Sequence, residues 1–262
     1  AIGECTAKIT NNLSNRNKVI NGDMRISQRG SSFTDQGEAY TLDRWLHTYG
    51  TSATLFDSTT TTSSESPDGF SNSLKVVPDS TQTPSGGQNA TFETRIEGQD
   101  LQDLAFGTSS AKQITLSFWA KSSAQNNGHQ YGLQYFKYDT AGNGKILTKA
   151  FTVTSSWQKF TWTVSGDTAS DIRNTNTNGI RILWHFASGP DDIQSEVTSW
   201  TASGSFTAVT GQDNFLDHTS NEFYLTGVQL EVGDTATDFE HRNYGDEFRR
   251  CQRYYQKVWV YS

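Results

Sequence analysis

Carboxylates, aromatic rings and arginines are the side chains of this sequence with the chemistry to act on another molecule. Hydrolysis of a glycosidic bond needs two carboxyl groups facing each other across a cleft. The candidates are Asp191 with Asp192, Glu93 with Glu97, and Glu231. Nothing in their spacing sets two carboxyls across a cleft, and acidic residues in turns are ordinarily solvated. The five histidines, His47, His129, His185, His218 and His241, fall in no nucleophile elbow and no metal motif. The chain therefore reads as non-enzymatic, with no catalytic residue.

Binding by ring stacking is better supplied. Trp119, Tyr135, Trp184 and Trp200 are suited to it, with Arg181, His185 and Gln134 as hydrogen-bonding neighbours. Ile180, Ile182, Trp184 and Phe186 recur at the two-residue period of a strand, so they share a face and Trp184 belongs to the core. Trp200 lies in the longest irregular stretch, 188–213, and is expected to be exposed. The ligand-binding candidates are thus Trp200, Trp119, Tyr135, His185 and Arg181. Asp43-Arg44-Trp45 offers an acid, a base and a ring in succession. Successive strand residues point to opposite faces, so this triplet reads instead as an internal ion pair beside a core tryptophan.

The elements that must position these side chains are strands. Alternation or β-rich composition marks strands over 73–77, 90–96, 113–121, 131–138, 145–153, 158–164, 179–187 and 222–232. Ile114, Leu116 and Phe118 share one face of their strand, and Phe160, Trp162 and Val164 share one face of theirs. One buried and one wetter face per strand is what an antiparallel sandwich requires. The stretches 57–72, 78–89, 122–130 and 165–178 are polar connections, and 139–144 is a tight hairpin with Gly144 available for positive φ. Only 33% of the 262 residues are hydrophobic, but 7 Trp, 10 Tyr and 15 Phe supply a core that a single Met24 and few leucines do not.

A net charge of −7 argues against nucleic acid as the principal partner, since a phosphate-binding surface needs a basic stripe. No run of 18 apolar residues is present, so no membrane insertion is expected. Cys5 and Cys251 lie at opposite ends without metal-ligand spacing and read as free thiols, consistent with synthesis in a reducing cytoplasm. Near the end, Phe248, Cys251, Tyr254, Tyr255 and Val258 fall on one helical face, with Arg249, Arg250, Arg253 and Lys257 on the remainder. The apolar 258–261 is expected to pack on its own domain or on a neighbouring subunit.

Four stretches resemble carbohydrate-binding-module-like jelly rolls of the galactose-binding type. They are Val19-Ile20-Asn21-Gly22-Asp23-Met24, the strand 114–121, Trp157-Gln158-Lys159-Phe160-Thr161-Trp162-Thr163, and the final strand 225–231. Gln28-Arg29-Gly30, Tyr40-Thr41-Leu42-Asp43-Arg44-Trp45, Arg95-Ile96-Glu97-Gly98-Gln99 and the 251–256 tail narrow the likeness to phage tail-fibre and head-fibre tip domains. The resemblance covers most of the chain from residue 19.

It implies an all-β antiparallel sandwich, a jelly roll, over 19–240, with an N-terminal arm or linker at 1–18 and a short helical appendix at 241–262. It implies a virion fibre or receptor-binding tip, non-enzymatic, binding a host-surface glycan or protein through exposed loops. A purely structural capsid decoration or tail adaptor is the alternative, and a polysaccharide-degrading tail enzyme a second. A homotrimer is expected, with Phe248, Tyr254, Tyr255, Val258 and Trp259 at the subunit interface and other virion proteins reached through the arm. No cofactor is expected. The resemblance also implies a structural calcium, for which Asp23 keeps one acidic position. The family's acidic pair before the final Val-Gln-Leu-Glu strand is replaced by Thr226-Gly227, so no metal is expected.

Overall fold

The computed structural model describes residues 15–34, 38–50, 58–203 and 207–257. In chain order the strands are β1 (Ser32–Thr34), β2 (Ala39–Tyr40), β3 (Trp45–Gly50), β4 (Ser58–Ser63) and β5 (Ser73–Pro78). They continue with β6 (Asn89–Glu97), β7 (Ile114–Ser122), β8 (Gln130–Tyr138), β9 (Gly144–Thr152) and β10 (Gln158–Val164). The last are β11 (Asn178–Ser188), the two-residue β12 (Ile193–Gln194), β13 (Thr201–Ala202) and β14 (Ala208–Val209), and β15 (Phe223–Val232). Helix α1 (Tyr244–Gln252) follows.

A six-stranded sheet in the order β1-β4-β5-β15-β7-β10 faces a seven-stranded sheet in the order β13-β9-β8-β11-β6-β3-β2. Every pairing in both sheets is antiparallel; only the small β12–β14 pair is parallel. The chain passes from sheet to sheet between β1 and β2, β3 and β4, β5 and β6, β6 and β7, β7 and β8, β9 and β10, β10 and β11, and again before β15. This is an antiparallel β-sandwich of jelly-roll type, the fold class expected from the alternation.

The eight strands read from alternation all form, each within two residues of the expected ends. β4 arises instead inside 57–72, a stretch expected to be a polar connection. Its sequence Ser-Thr-Thr-Thr-Thr-Ser has no apolar side chain. Thr60 is nonetheless buried and hydrogen-bonds to His47 Nε2 at 2.5 Å. β-Branching favours a strand even where hydropathy gives no period. In the 139–144 hairpin the positive φ falls on Gly142 (88°), whose N–H donates to Asp139 O at 3.0 Å. Gly144 serves differently: a Cβ there would run into the Phe136 ring, 2.6 Å from Cε1.

Aromatic rings carry the core. Trp45 stacks on Phe92 at 5.4 Å and meets Trp184 at 5.7 Å, and Trp184 meets Phe118 edge-on at 5.5 Å. Phe118 continues the chain of contacts to Phe160 and Phe151, while Tyr131, Phe186, Phe215 and Phe223 close the far end. The triplet 43–45 is not an internal ion pair. Asp43 accepts from Gln28 and faces Arg29 Nη1 at 3.6 Å, whereas Arg44, with φ of 72°, lays its guanidinium 3.5 Å from the Tyr254 ring centroid.

Residues assigned to the N-terminal arm are docked from Arg16 onward. Asn17 donates to Val228 O at 3.1 Å and accepts from Leu230 N at 3.1 Å, on the last strand. The helical appendix is shorter than its face suggested, because α1 ends at Gln252 and leaves Tyr254 and Tyr255 beyond it. Asn243 caps the helix by accepting from Gly245 N. Cys251 is a buried free thiol; Cys5, Val258 and Trp259 lie outside the described residues.

Trp184 fills the centre of this ring-built core with no exposure. Trp184→Ala is expected to lower unfolding free energy by about 3–5 kcal/mol, read as a shifted urea midpoint at unchanged m-value.

Candidate functional site

The open side of the sandwich between β9 and β10 holds a cleft. β10 is an edge strand of its sheet, and β9 is covered at its outer edge only by two-residue β13. Such an edge leaves backbone groups unpaired unless something covers them. Here residues 196–200 lie across it: Val197 N–H donates to Thr148 Oγ1 at 2.8 Å, and Thr148 N–H donates to Val197 O at 3.0 Å.

Trp200 anchors this cover. Its indole N–H donates to Ser165 O at 2.9 Å, and its ring packs near Phe106 at 5.8 Å and Tyr135 at 6.1 Å. The long polar stretch therefore does not display Trp200 as a free platform. It wedges the ring half-buried into the sandwich edge, because an indole removed from water gains more than one left in a loop.

What remains open is a cleft of about 660 Å³, lined by Trp162, Trp200, Lys145, Lys149, Asp167 and Glu196, with Thr148, Thr163, Thr198 and Ser199 supplying hydroxyls. Its charges are organised from below. Lys137 is fully buried, and its ammonium donates to Ser170 O at 2.7 Å and Asp171 O at 2.8 Å. Lys137 and Lys145 both reach Asp167 Oδ2 at 2.8 Å. Burial would raise the Asp167 pKa, but hydrogen bonds from the two lysines outweigh it and hold this carboxyl below the usual range. Burial pushes Lys137 down from its ordinary value, against the pull of Asp167. Glu196 Oε1 accepts from Ala150 N at 2.7 Å. The cleft thus presents aromatic surface beside donors and acceptors already fixed in place, in the size range of small-ligand sites.

The other ligand candidates are placed elsewhere. Tyr135 is fully buried, stacked on Trp162 at 4.7 Å, and burial raises its hydroxyl well above the ordinary value. Arg181 and His185 lie on the far face of β11, opposite Trp184. Arg181 Nε donates to Glu93 Oε2 at 2.8 Å, and His185 Nε2 lies 3.1 Å from Gln134 Oε1. That face is closed over: Gln212 Oε1 accepts from Gly132 N at 3.0 Å, and Val197 packs on an apolar cluster of Phe136, Ile146 and Leu183. Tyr135, Arg181 and His185 therefore hold the scaffold and meet no ligand from solvent.

Trp119 is half-exposed on the outer face of the six-stranded sheet, between Thr226 and Lys159. Beside it Gly227 has φ of 62°, where a Cβ would sit 2.9 Å from Trp119 Cδ1 and 2.7 Å from Phe70 Cζ. This glycine serves a bulge in β15, marked by the register shift between Thr226 and Gln229. Asp23 pairs with Arg25. Among the described residues no three His, Cys, Asp or Glu side chains converge on a point that would hold a metal.

Four of the five carboxylate candidates are engaged too, and Asp191 is exposed. Glu93 is held between Arg95 and Arg181, and Glu97 accepts from Gln99 and Arg253. Asp192 accepts from Asn89, and Glu231 from Thr237. Of the interface candidates, Tyr254 and Tyr255 stack under Arg44 and Arg29 of their own chain, at 3.5 and 3.7 Å. Phe248 stacks on Tyr244, which is 54% exposed. Sequence reasoning missed Lys145, Lys149, Asp167 and Glu196, which come from one strand and two connections with no shared motif.

No family model matches the chain, and no curated protein matches it. Solved structures similar to it include the enzymatically active domain of bacteriophage CBA120 tailspike protein 4, at TM-score 0.43 and 15% identity. That likeness covers 83% of this chain and 21% of the tailspike chain, so this chain spans about a fifth of it. A putative sugar binding protein from Bacteroides thetaiotaomicron has TM-score 0.45 at 10% identity, covering 82% of this chain and 99% of that one. The CBM22-1 xylan-binding domain from Paenibacillus barcinonensis Xyn10C has TM-score 0.39 at 12% identity, covering 78% and 94%.

Burial makes stability depend on pH. It holds His47 and His185 down to about 3, with Arg181 adding to the effect at His185. An unfolded histidine binds its proton near pH 6.5. Below that pH the unfolded chain takes up protons that the folded one refuses, so stability falls as pH drops from about 6.5 towards 3. Each histidine contributes a slope of up to about 1.4 kcal/mol per pH unit. Urea midpoints of wild type and His185→Gln between pH 7 and pH 4.5 check this: the variant is expected to lose less stability over that range.

Proposed function

We propose that this chain is a non-enzymatic glycan-binding module of a phage virion fibre, engaging host-surface sugar through the cleft between β9 and β10. The cleft carries the reading. Sugars present an apolar C–H face and a rim of hydroxyls, and they bind where aromatic surface lies beside fixed donors and acceptors. Half-buried Trp200 supplies the first, on a lining it shares with the largely buried Trp162, while Lys145, Lys149, Glu196 and the threonine hydroxyls supply the second. The virion setting rests on the sequence likeness to fibre-tip domains. Non-enzymatic action is supported by Asp167, whose Oδ2 is bound by two lysines and held as a hydrogen-bond acceptor.

Several copies acting together would raise a weak single-site affinity. We place the subunit contact of a homotrimer at Tyr244 and Phe248, since Tyr254 and Tyr255 are occupied within their own chain. Light scattering on the purified protein is expected to give three 29.1 kDa chains. A monomer or dimer at micromolar concentration overturns the trimer.

Thr198 is exposed on the cleft rim, so Thr198→Trp fills the cleft without touching the core. It is expected to weaken adsorption to host cells by at least about tenfold while leaving the melting temperature unchanged. Unchanged adsorption would move the binding function elsewhere. If wild type never adsorbs and Thr198→Trp blocks virion assembly, the structural decoration or adaptor role replaces this reading.

A further inference from the structure

We propose that the corner where the tail meets the β2–β3 connection binds one small oxyanion of the phosphate or sulfate class, between Arg29 and Arg44. A cavity of about 120 Å³ lies there, lined by Arg29, Tyr40, Asp43, Arg44, Tyr254 and Tyr255. It shares no residue with the cleft between β9 and β10. In the order of the seven-stranded sheet β2 stands at the opposite end from β9, so this site is independent of the sugar reading.

Arg44 is only 7% exposed. Taking a guanidinium out of water is costly unless an anion pairs with it. Arg181, buried to a similar degree at 5%, pairs with Glu93. Arg44 has instead the Arg95 carbonyl and the face of Tyr254, and among the described residues it makes no ion pair with a carboxylate. Its Nε is buried without an acceptor. The nearby acids are committed elsewhere. Asp43 accepts from Gln28 N at 2.7 Å and from Gln28 Nε2 at 2.8 Å. Glu97, beside Tyr254, pairs with Arg253 at 2.6 Å, and Glu93 is shared by Arg95 and Arg181.

Arg29 brings a second guanidinium to the same cavity. It lies 3.7 Å over the Tyr255 ring, and its Nη1 is also buried without an acceptor. That nitrogen is 3.6 Å from Asp43 Oδ1, an electrostatic contact too long for a hydrogen bond. Stacking occupies the faces of both guanidiniums and leaves their N–H groups to donate in plane. Water would satisfy those donors but would leave the charge on Arg44 unpaired. An oxyanion does both, and oxygens on all its sides let it accept from the two arginines at once. The cavity has the room of about four liquid waters. That is below the roughly 300–1,000 Å³ of sites that enclose a larger ligand, so an anionic group enters and a sugar ring does not. Once bound, it would tie the 28–30 turn and the β2–β3 connection to the residues that follow α1.

Titration calorimetry of inorganic phosphate and of sulfate into the whole chain, at constant ionic strength over chloride, tests the proposal. Saturation at one anion per chain is expected, with a melting temperature that rises to a plateau as the site fills. Arg29→Gln is expected to weaken binding by about tenfold, the order of one charge-assisted hydrogen bond. Arg44→Lys keeps the charge but not the planar fork and is expected to weaken it as well, which serves where Arg29→Gln does not fold. Glucose 6-phosphate separates the sources: comparable binding identifies a group borne on a sugar, its exclusion identifies the free ion, and either supports the site. Absence of phosphate and sulfate binding to wild type overturns it. So does binding that neither substitution reduces, which places the anion elsewhere. A melting temperature that climbs without a plateau, equally in wild type and Arg29→Gln, reflects exclusion of phosphate from the surface and also overturns the site.

Discussion

The structure depends on the joining of its first described segment to its last. Asn17 bridges β15 through its side chain, accepting from Leu230 N and donating to Val228 O. Arg242 then binds the carbonyls of Asn17 and Val19, and Glu247 of α1 accepts from the backbone of Asn21 and from Arg242. Apart from Arg242 and Glu247, which are five residues apart, these partners are more than 200 residues apart in sequence, so they become favourable only once both sheets are assembled. β15 sits between β5 and β7 in the middle of its sheet. A sheet whose central strand comes last in its sequence order has its halves unpaired until that strand is in place, and the Asn17–Arg242–Glu247 network fixes it there.

The same constraint explains motifs that looked separate in the sequence. Gln28-Arg29-Gly30, Asp43-Arg44-Trp45, Arg95-Ile96-Glu97 and the tail converge on one corner. Gln28 donates to Asp43 and to Tyr255 O, Arg29 covers Tyr255, Arg44 covers Tyr254, and Arg253 reaches Glu97 at 2.6 Å. Arginine is suited to this because its flat, weakly hydrated guanidinium stacks on a ring while its N–H groups still donate in plane. Arg44 does both, lying on Tyr254 and donating to Arg95 O from a backbone in the left-handed region. A side chain holding that conformation is compensated by its surroundings. These residues mark how the jelly roll is closed, which is why they identify a fold and name no glycan.

The two-residue period and the aromatic content were enough to find the strands that build the core, since burial of one face leaves a pattern in composition. Trp184 and Trp162 could be assigned inward for that reason. The pattern fails where burial is achieved by hydroxyls, as at Thr60 of β4, and where both faces are covered, as on β11. Arg181 and His185 lie opposite the core face and look solvent-facing in sequence. Residues distant along the chain cover them, an arrangement no local period encodes. The cleft was illegible for a related reason. Lys145 and Lys149 are ordinary alternating strand residues, and Asp167 and Glu196 are ordinary loop acids, until β10 and the 196–200 segment bring them together.

On the proposed reading, Trp200 links architecture to binding. The sandwich must cover the side between β9 and β10, because an open edge with an apolar interior invites association. It does so with a loop pinned by one indole, whose N–H reaches Ser165 O and whose ring rests on Phe106 and Tyr135. The face of that indole left uncovered, together with the Lys137–Asp167–Lys145 bridge behind it, forms the wall of the cleft. The loop therefore cannot change its grip on the core without changing the surface a sugar would meet. On the proposed reading, variation in ligand preference is confined to side chains that line the cleft without holding it, namely Lys149, Thr198 and Ser199. Those positions can change while the fold, the edge cover and the closed corner all persist.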